Sequence, residues 1–570
     1  MARRAGIPTH LGSNAFAVSG NRTADGNPIL YNGPQTGWAV PGFFWEVEVH
    51  DPQRDARGVT VPAIPLIVIG RNADSGWSVT SSLDGNSDTF ILPLDQSNAS
   101  YTHNGQQVTI QKHTETINCN NPPVTALALP LLSGTPPSPC PLTPVQETVY
   151  YDPAHDASGL ADPDANHLLY VRASTVNHRL VDTLMAWDQL AKVHSAAAVG
   201  QALQTNYLGF NYFYVDAQGE VAYFRTGRYP VYASNVDPNL PLWGDGRFDW
   251  QSFETWADTP HVVNPSTGFV ANWNNKPAVA WYSKAVESGT LAPDRWGANH
   301  QVAPLVSDIQ QLTSLSFDRA GQVPRDVAYI DNRARALRPY LLPALQQSGN
   351  ATLQQVAQAL AAWDLNRVDQ GGGKLHTAAT FFDRWVEHML IDTFGASLGT
   401  DLSAVAGLNC TSPYCSAPTN NHFVSVDNGD APTMKYELAI MHALYNALTG
   451  RNQYDFFAGQ GSNAVMVKAA NDAVAELSQA QGSDPSQWSE PVESGAFGAQ
   501  GAGSVPPLVP LPNRGSYGQV IEPLAAATSA PSTTQPLPNT SPAMGLGGFG
   551  LLLLLAGALA TVHAVRRRTV

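Results

Sequence analysis

The first ninety-five residues alternate short apolar runs with turn-forming residues. The run Ala15-Phe16-Ala17-Val18 follows Gly12-Ser13-Asn14 and is typical of a buried strand. The segments 43–50 and 63–69 are also strand-like, and clusters of Gly, Pro, Asn and Asp separate these segments. We therefore predict that residues 13–95 form a sheet.

Helical spacing of apolar residues becomes more frequent later in the chain. It predicts a helix over 180–204, and a hairpin over 210–224 follows, with Asp216-Ala217-Gln218-Gly219 as its turn. Residues 96–168 are predicted to be rich in loops. Further helices are predicted at 306–315, 333–346, 352–363, 378–390, 433–448 and 463–481. A sheet followed by helices, with strands that return later, indicates an α+β layered domain.

The C-terminal segments predict attachment to a membrane. Pro, Ser and Thr dominate 525–542, which is typical of a linker. Residues 543–565 are apolar enough for a transmembrane helix, or for a sorting helix that is cut after export. The basic tail 566–570 is expected to stay cytoplasmic, which would place the rest of the chain in an extracytoplasmic compartment. Residues 1–11 lack the apolar core of a signal peptide, so we expect the natural beginning to be missing.

Composition and charge narrow the class of protein further. The 570 residues carry 31 Lys and Arg against 46 Asp and Glu, and the net charge of −15 argues against a nucleic-acid partner. The four cysteines form two local pairs, Cys119 with Cys140 and Cys410 with Cys415. Two disulfides in an oxidising compartment fit this spacing, and four unpaired thiols are the alternative.

Four polar clusters carry the candidate chemistry. They are Gly12-Ser13-Asn14, the segment 32–38 around Gln35, the segment 70–81 that ends at Ser81, and the segment 264–277 around Asn274. None of the 15 histidines falls in these clusters, and no GxSxG nucleophile elbow lies on a predicted strand–turn–helix. Both observations argue against a Ser-His-Asp triad.

In their order and spacing, these clusters resemble the penicillin acylase (penicillin amidase) family of N-terminal-nucleophile hydrolases. The resemblance runs through most of residues 12–524. It implies a four-layer αββα sandwich with a helical insertion, in which 13–524 is the catalytic domain and 1–12 is the remnant of a spacer. It also implies hydrolysis of a small-molecule linear amide, no required cofactor, and an upstream α-chain as a partner.

The resemblance also implies a role for each site residue. A precursor would cut itself between Gly12 and Ser13, and the freed Ser13 would supply both the nucleophilic hydroxyl and the α-amino base. Such an amine has a pKa near ~8, so it can be neutral close to neutral pH. The backbone N–H of Ser81 and the side chain of Asn274 would bind the oxyanion, and Gln35 would support the site.

Among the points at which the sequence departs from the family, three bear on ligands and substrate. Asp88 matches a calcium ligand and Asp84 could replace a second one, so one structural calcium is expected only as an option. Thr36 and Ile69 stand where aryl-acyl enzymes have aromatic residues, which favours a differently shaped acyl pocket. Since we expect an upstream chain that these residues do not include, and since the calcium ligands are only partly kept, an alternative remains open: a non-catalytic, membrane-anchored relic that binds ligands.

Overall fold

The computed structural model describes residues 12–35, 39–40, 43–62, 64–82, 87–117, 145–234, 236–238, 240–275, 277–278, 302–367, 374–399, 402, 439–490, 494–499, 503–510 and 518–524. Several predictions concern residues outside these ranges: Thr36, Asp84, Cys119, Cys140, Cys410, Cys415 and the C-terminal segments 525–542, 543–565 and 566–570. Within the described ranges, no helix combines the length and the apolar character that a membrane span requires.

The described strands are numbered in chain order. They are β1 Gly12–Val18, β2 Ile29–Gln35, β3 Ala39–Val40, β4 Trp45–Asp51, β5 Arg54–Thr60, β6 Ile69–Arg71, β7 Ser75–Ser81, β8 Ser87–Pro93, β9 Ser100–His103, β10 Gln106–Thr109, β11 Gln111–Ile117, β12 Val145–Asp152, β13 Ala157–Gly159, β14 Leu168–Ser174, β15 Phe210–Asp216, β16 Val221–Arg225, β17 Pro230–Val231, β18 Leu242–Trp243, β19 Ser252–Phe253, β20 His261–Val263, β21 Phe269–Asn272, β22 Ser494–Ala499, β23 Gly503–Pro510 and β24 Gln519–Ile521.

The described α-helices are numbered in the same way. They are α1 Leu180–Leu190, α2 Ala196–Leu203, α3 Val302–Gln311, α4 Phe317–Tyr329, α5 Asn332–Gln346, α6 Ala351–Ala362, α7 Thr377–Leu398, α8 Ala439–Leu448 and α9 Ser462–Gln481.

Two sheets face each other at the centre of the molecule. One has the strand order β21-β1-β2-β24, and the other has the order β20-β16-β15-β7-β6-β5-β4. Because successive side chains of a strand point to opposite faces, the side chains of β1 contribute to two different cores. Ala15 and Ala17 pack with Phe213 of the seven-stranded sheet, whereas Phe16 and Val18 point to the opposite side. The inner core therefore lies between the sheets.

Helices cover the outer face of each sheet. On the four-stranded sheet, α3 and α4 contribute Leu305 and Val323 to the core that contains Phe16. On the seven-stranded sheet, α1 and α2 contribute Trp187 and Val199 to a second core. The order of layers is helix, sheet, sheet, helix, so the predicted αββα sandwich is present.

A six-stranded sheet with the order β11-β12-β13-β14-β8-β18 adjoins this sandwich. Three of its strands, β11, β12 and β13, lie within 96–168, where loops were predicted, and that prediction was wrong for these strands. The reason is visible in β11, whose described side chains are all exposed and mostly polar. Such a strand lacks the apolar alternation from which strands are recognised.

Some boundaries also differ from the predicted ones. The helix predicted over 180–204 is interrupted, and the hydroxyl of Ser195 accepts a hydrogen bond from Ala198 N as the N-cap of α2. Residues 64–68 were predicted as strand but are irregular, and Pro65 cannot donate a ladder hydrogen bond there. Helix α4 was not predicted, since Gly321 and Pro324 weaken its helical pattern.

The helices α5 to α9 form the insertion, which lies between β21 and β22 and has an apolar core of its own. Beside this core lies a buried ion cluster. Arg333 Nη2 lies 2.6 Å from Asp331 Oδ2 and 2.6 Å from Asp383 Oδ1, and Arg367 Nη2 lies 2.7 Å from Asp383 Oδ2. Burial raises the pKa of Asp383, but Arg367 and Arg333 outweigh that effect and hold it at about 2. Asp383 is therefore a carboxylate at neutral pH.

Candidate active site

Ser13 lies in β1, between β2 and the turn that follows β21. Its side chain is almost fully buried, with 5% of the residue exposed. Across the ladder it faces Pro34. The backbone N–H of Ser13 donates to Asn274 Oδ1, at 2.6 Å. The nitrogen of the predicted nucleophile is therefore held by a side chain of the turn.

Two donors converge on the Ser13 hydroxyl oxygen. Asn274 Nδ2 lies 3.1 Å from Oγ and the backbone nitrogen of Ser81 lies 3.2 Å from it. Asn274 Nδ2 also donates to the carbonyl of Ser81, at 2.6 Å. The amide of Asn274 thus binds both the nitrogen and the hydroxyl of Ser13. These three residues were singled out in the sequence, and the structure brings them into contact.

The turn that carries Asn274 is built from asparagines. Asn274 has a φ of 58°, a left-handed conformation that asparagine tolerates better than most side chains. Its N–H donates to Asn272 Oδ1 at 2.8 Å, and the N–H of Trp273 donates to Asn275 Oδ1 at 2.8 Å. Short amide side chains therefore replace strand pairing at this turn and fix the direction of the Asn274 amide.

A further layer of polar groups lies behind this turn. Asn272 Oδ1 also accepts hydrogen bonds from Thr80 Oγ1, at 2.8 Å, and from Asn211 Nδ2, at 3.1 Å. Asn211 Oδ1 accepts from Tyr223 OH, at 2.6 Å, and from the guanidinium of Arg225. Arg225 is fully buried and also donates to the carbonyl of Ser82, at 3.1 Å. The network connects the hairpin with the Asn274 turn.

The sequence analysis did not single out Asn211 or Arg225. Asn211 lies in the predicted 210–224 hairpin, and Arg225 is the residue directly after it. The sequence analysis gave this hairpin a structural role and no part in the site. A signal was available, since β15 and β16 are buried at almost every position and still contain an Asn and an Arg. Buried polar side chains of this kind need partners inside the protein.

Gln35 supports the site through a neighbour. Its Oε1 accepts a hydrogen bond from Trp273 Nε1, at 3.0 Å, and it lies opposite Gly12 in the ladder. Trp273 is buried beside the asparagine turn. The described contacts therefore give Gln35 a part in fixing the turn rather than a contact with the Ser13 hydroxyl.

The calcium prediction gains no support from the described residues. Asp88 is buried, and its Oδ2 accepts hydrogen bonds from Tyr232 OH at 2.7 Å and from Trp250 Nε1 at 2.6 Å. Both contacts use the same carboxylate oxygen of Asp88, and calcium needs six to eight oxygen ligands. Since Asp84 lies outside the described residues, the calcium site stays a prediction, and we assign no step to calcium.

The predicted acyl pocket is described only in part. Ile69, expected at that pocket, is 1% exposed and belongs to the core on the α1 and α2 side of the seven-stranded sheet. Thr36 lies outside the described residues. The shape of the acyl pocket therefore stays a prediction.

The αββα sandwich, with a buried serine near the start of a central strand, is the architecture of the N-terminal-nucleophile hydrolase class. A solved structure of this architecture supports the assignment of the fold. The chain superposes on the thermostable penicillin G acylase from Alcaligenes faecalis with a TM-score of 0.72 at 22% identity, covering 89% of this chain and 87% of that one.

Within that class, the chain belongs to the penicillin amidase family, whose family model matches residues 2–534. It is 26% identical to penicillin G acylase of Escherichia coli over 519 residues, which are 88% of this chain and 55% of that protein. It is 23% identical to acyl-homoserine lactone acylase QuiP of Pseudomonas fluorescens (strain Pf0-1), over 50% of this chain and 33% of that protein. The chain thus spans about half the length of these relatives or less.

Proposed function

We propose that this chain is the catalytic part of an acylase that hydrolyses small linear amides through an acyl-enzyme on Ser13. The observation that carries the proposal is the pair of donors on the Ser13 hydroxyl, from Asn274 Nδ2 and Ser81 N. Acylase activity of this kind is named for both relatives, one acting on penicillin G and the other on acyl-homoserine lactones. The family membership supports the same reaction class.

The first step requires a free amine on Ser13. Cleavage of the Gly12–Ser13 bond would turn the peptide nitrogen into an α-amine, still within reach of Asn274 Oδ1. The neutral amine takes the hydroxyl proton, directly or through one water molecule, while Oγ attacks the substrate carbonyl carbon. Among the described residues, the hydrogen-bond partners of Ser13 are Asn274 and Ser81, so the amine is the base that this site offers.

The second step depends on the two donors. As Oγ bonds to the carbonyl carbon, the substrate oxygen becomes an oxyanion next to Oγ, and the donors of Asn274 and Ser81 can transfer to it. Collapse of the intermediate breaks the C–N bond, and the protonated α-amine gives its proton to the leaving amine. Water then attacks the ester with the α-amine again as base, which releases the carboxylic acid and restores Ser13.

The location of the catalytic domain is a second element of the proposal. An apolar segment at 543–565 followed by three arginines supports a domain held outside the membrane or exported from the cell. Protease added to intact cells should then degrade the domain if it stays anchored. If the tail is cut, the domain should be found in the medium or the periplasm.

The decisive experiment joins intact-mass measurement with an amidase assay. We expect protein expressed from its complete coding region to contain a chain that starts at Ser13, and to release amines from a panel of aryl-acyl and straight-chain acyl amides. The Ser13→Ala variant should stay uncut and inactive, whereas Ser13→Cys keeps a nucleophile and should still be cut. Activity of Ser13→Ala at the wild-type rate would refute the proposal.

A well-folded wild-type chain that is never cut and hydrolyses none of the amides would also refute it. That result would favour the non-catalytic ligand-binding relic. The kcat/KM values measured for the amides of the same panel, compared with one another, identify the acyl group that the enzyme prefers.

A further inference from the structure

A second cluster of reactive side chains lies where the β9–β10 hairpin meets a turn and a loop of the six-stranded sheet, and none of them lies on the sheet that carries Ser13. His103 is the last residue of β9, His155 lies in the turn between β12 and β13, and Asp249 lies in the loop after β18. Among the described residues, these form the group of His and acidic side chains whose potential ligand atoms all lie within 4.8 Å of one another. Three segments far apart in sequence therefore meet at one point.

The geometry of the three side chains suits a small cation. His155 Nε2 lies 3.0 Å from Asp249 Oδ1, and His103 Nε2 lies 2.8 Å from Asp249 Oδ2. Ligand atoms bound to a tetrahedral zinc ion at about 2.0–2.1 Å are about 3.3 Å apart. Small shifts of these side chains would therefore make room for the ion between them.

The cluster is also reachable from solvent on one side. The His155 side chain is only 4% exposed, but that of Asp249 is 32% exposed and that of His103 is 17% exposed. An ion bound to the three side chains would have a fourth position that water can fill. Three protein ligands and an open position make a well-known zinc arrangement.

The carboxylate of Asp152 fixes the orientation of the His155 ring through Nδ1, the ring nitrogen that does not face Asp249. His155 Nδ1 lies 2.5 Å from Asp152 Oδ2, and Tyr101 OH donates to Asp152 Oδ1 at 2.9 Å. Asp152 is fully buried, and the ring of Phe90 stacks on the imidazole with centroids 4.2 Å apart. When Nδ1–H donates to a carboxylate, the lone pair of Nε2 remains for a metal, and such carboxylate–histidine pairs are frequent behind metal ligands.

The negative charges around His155 also favour a bound divalent cation. Asp152 and Asp249 place two carboxylates on opposite nitrogens of a single imidazole. A proton on His155 would balance one of these charges, whereas a divalent cation would balance both. The alternative is a metal-free network, in which a protonated His155 bridges the two carboxylates.

We propose that this chain binds one divalent zinc-type ion through His103 Nε2, His155 Nε2 and a carboxylate oxygen of Asp249, with Asp152 holding His155. The ion would join β9, the β12–β13 turn and the loop after β18. Because the chemistry proposed at Ser13 uses no metal, we expect the ion to stabilise the contact between these segments. The proposal stands apart from that function.

Titration of the chelator-treated full chain with Zn²⁺, followed by calorimetry, tests the site. We expect one saturable site and a higher melting temperature with zinc, and Co²⁺ in place of zinc should give the visible absorption of a tetrahedral complex. Asp152→Asn should weaken binding about 10–100-fold. His103→Gln and Asp249→Asn each remove a ligand with little change of shape, and should weaken it more.

The exposed His178 offers a matched control, because it pairs with Asp156 at the surface. His178→Gln should bind zinc like the wild type. The proposal is overturned if the folded wild type shows no saturable zinc binding, or if His103→Gln and Asp249→Asn bind zinc as tightly as it does. Either result would identify the cluster as the metal-free network. Circular dichroism checks that each variant is folded.

Discussion

Two buried polar centres of this molecule stabilise charge in different ways. Around Ser13 the contacts are neutral: the amide of Asn274, the N–H of Ser81 and, behind them, Asn272. In the helical insertion the contacts are between full charges, with Arg333 and Arg367 against two aspartates. The first centre consists of neutral hydrogen-bonding groups with no charged partner among those contacts. In the second centre, arginines and aspartates pair with each other permanently.

Under the proposed function, the difference follows from the task of each centre. An oxyanion exists only during the reaction, so fixed dipoles can stabilise it without attracting a counter-ion in the resting state. A full positive charge beside Ser13 would also lower the pKa of its α-amine, and a negative charge would raise it. Neutral amides would add neither effect to the amine that the proposed cut creates. Arg225, the charge in the described network, is separated from Ser13 by Asn211 and Asn272.

The largest expected effect is on the ion cluster. Arg333→Ala would leave Asp331 and Asp383 with one fewer cation in a buried place. Breaking a buried ion pair in this way costs about 3–5 kcal/mol of unfolding free energy. Urea unfolding followed by circular dichroism measures it. Arg319→Ala is the control, because the pair of Arg319 with Asp326 is largely exposed and should contribute about 1 kcal/mol or less. Equal losses in the two variants would contradict the distinction.

A slightly smaller effect is expected on catalysis at Asn274. Asn274→Ala removes the donor to the oxyanion and should lower kcat by about 10²–10³-fold, or about 3–4 kcal/mol. The kcat of each variant is calculated per molecule cleaved before Ser13, and intact-mass measurement gives the fraction of such molecules. Asn274→Asp tests neutrality directly, because it keeps the shape but places a negative charge next to the oxyanion. It should be at least as inactive as Asn274→Ala, and near-normal kcat in Asn274→Asp would refute the argument.

The smallest effect concerns the layer behind the turn. Thr80 Oγ1 donates to Asn272 Oδ1 and accepts from Asn211 Nδ2, so Thr80→Val keeps the shape and loses both contacts. We expect kcat to fall about tenfold, which corresponds to about 1–1.5 kcal/mol for a buried hydrogen bond. KM should change little, since Thr80 is proposed to position the turn and not to touch substrate. Thr80→Ser should restore kcat, and a change in KM alone would argue against this positioning role.

The two centres also differ in how well the sequence predicts them. Ser13, Ser81 and Asn274 could be found because each lies in a short cluster whose order along the chain resembles a family. The asparagine turn is local, and its residues are adjacent in sequence. Arg225 and the ion cluster depend on pairings between distant elements, for which neither apolar periodicity nor spacing gives a signal. The αββα layers were predicted through the resemblance, while the exposed polar strand β11 was not recognised.

The contact between Ser13 N and Asn274 Oδ1 has a consequence for the chain end that the proposed cut would create. When a strand is cut, the residues at the break normally lose partners and fray. Here the Ser13 nitrogen donates to a side chain in the turn after the neighbouring strand β21, so the proposed cut would free Gly12 and leave that hydrogen bond in place. The liberated terminus would keep its position from the moment it forms. The precursor would thus already hold its nucleophile where the mature enzyme needs it.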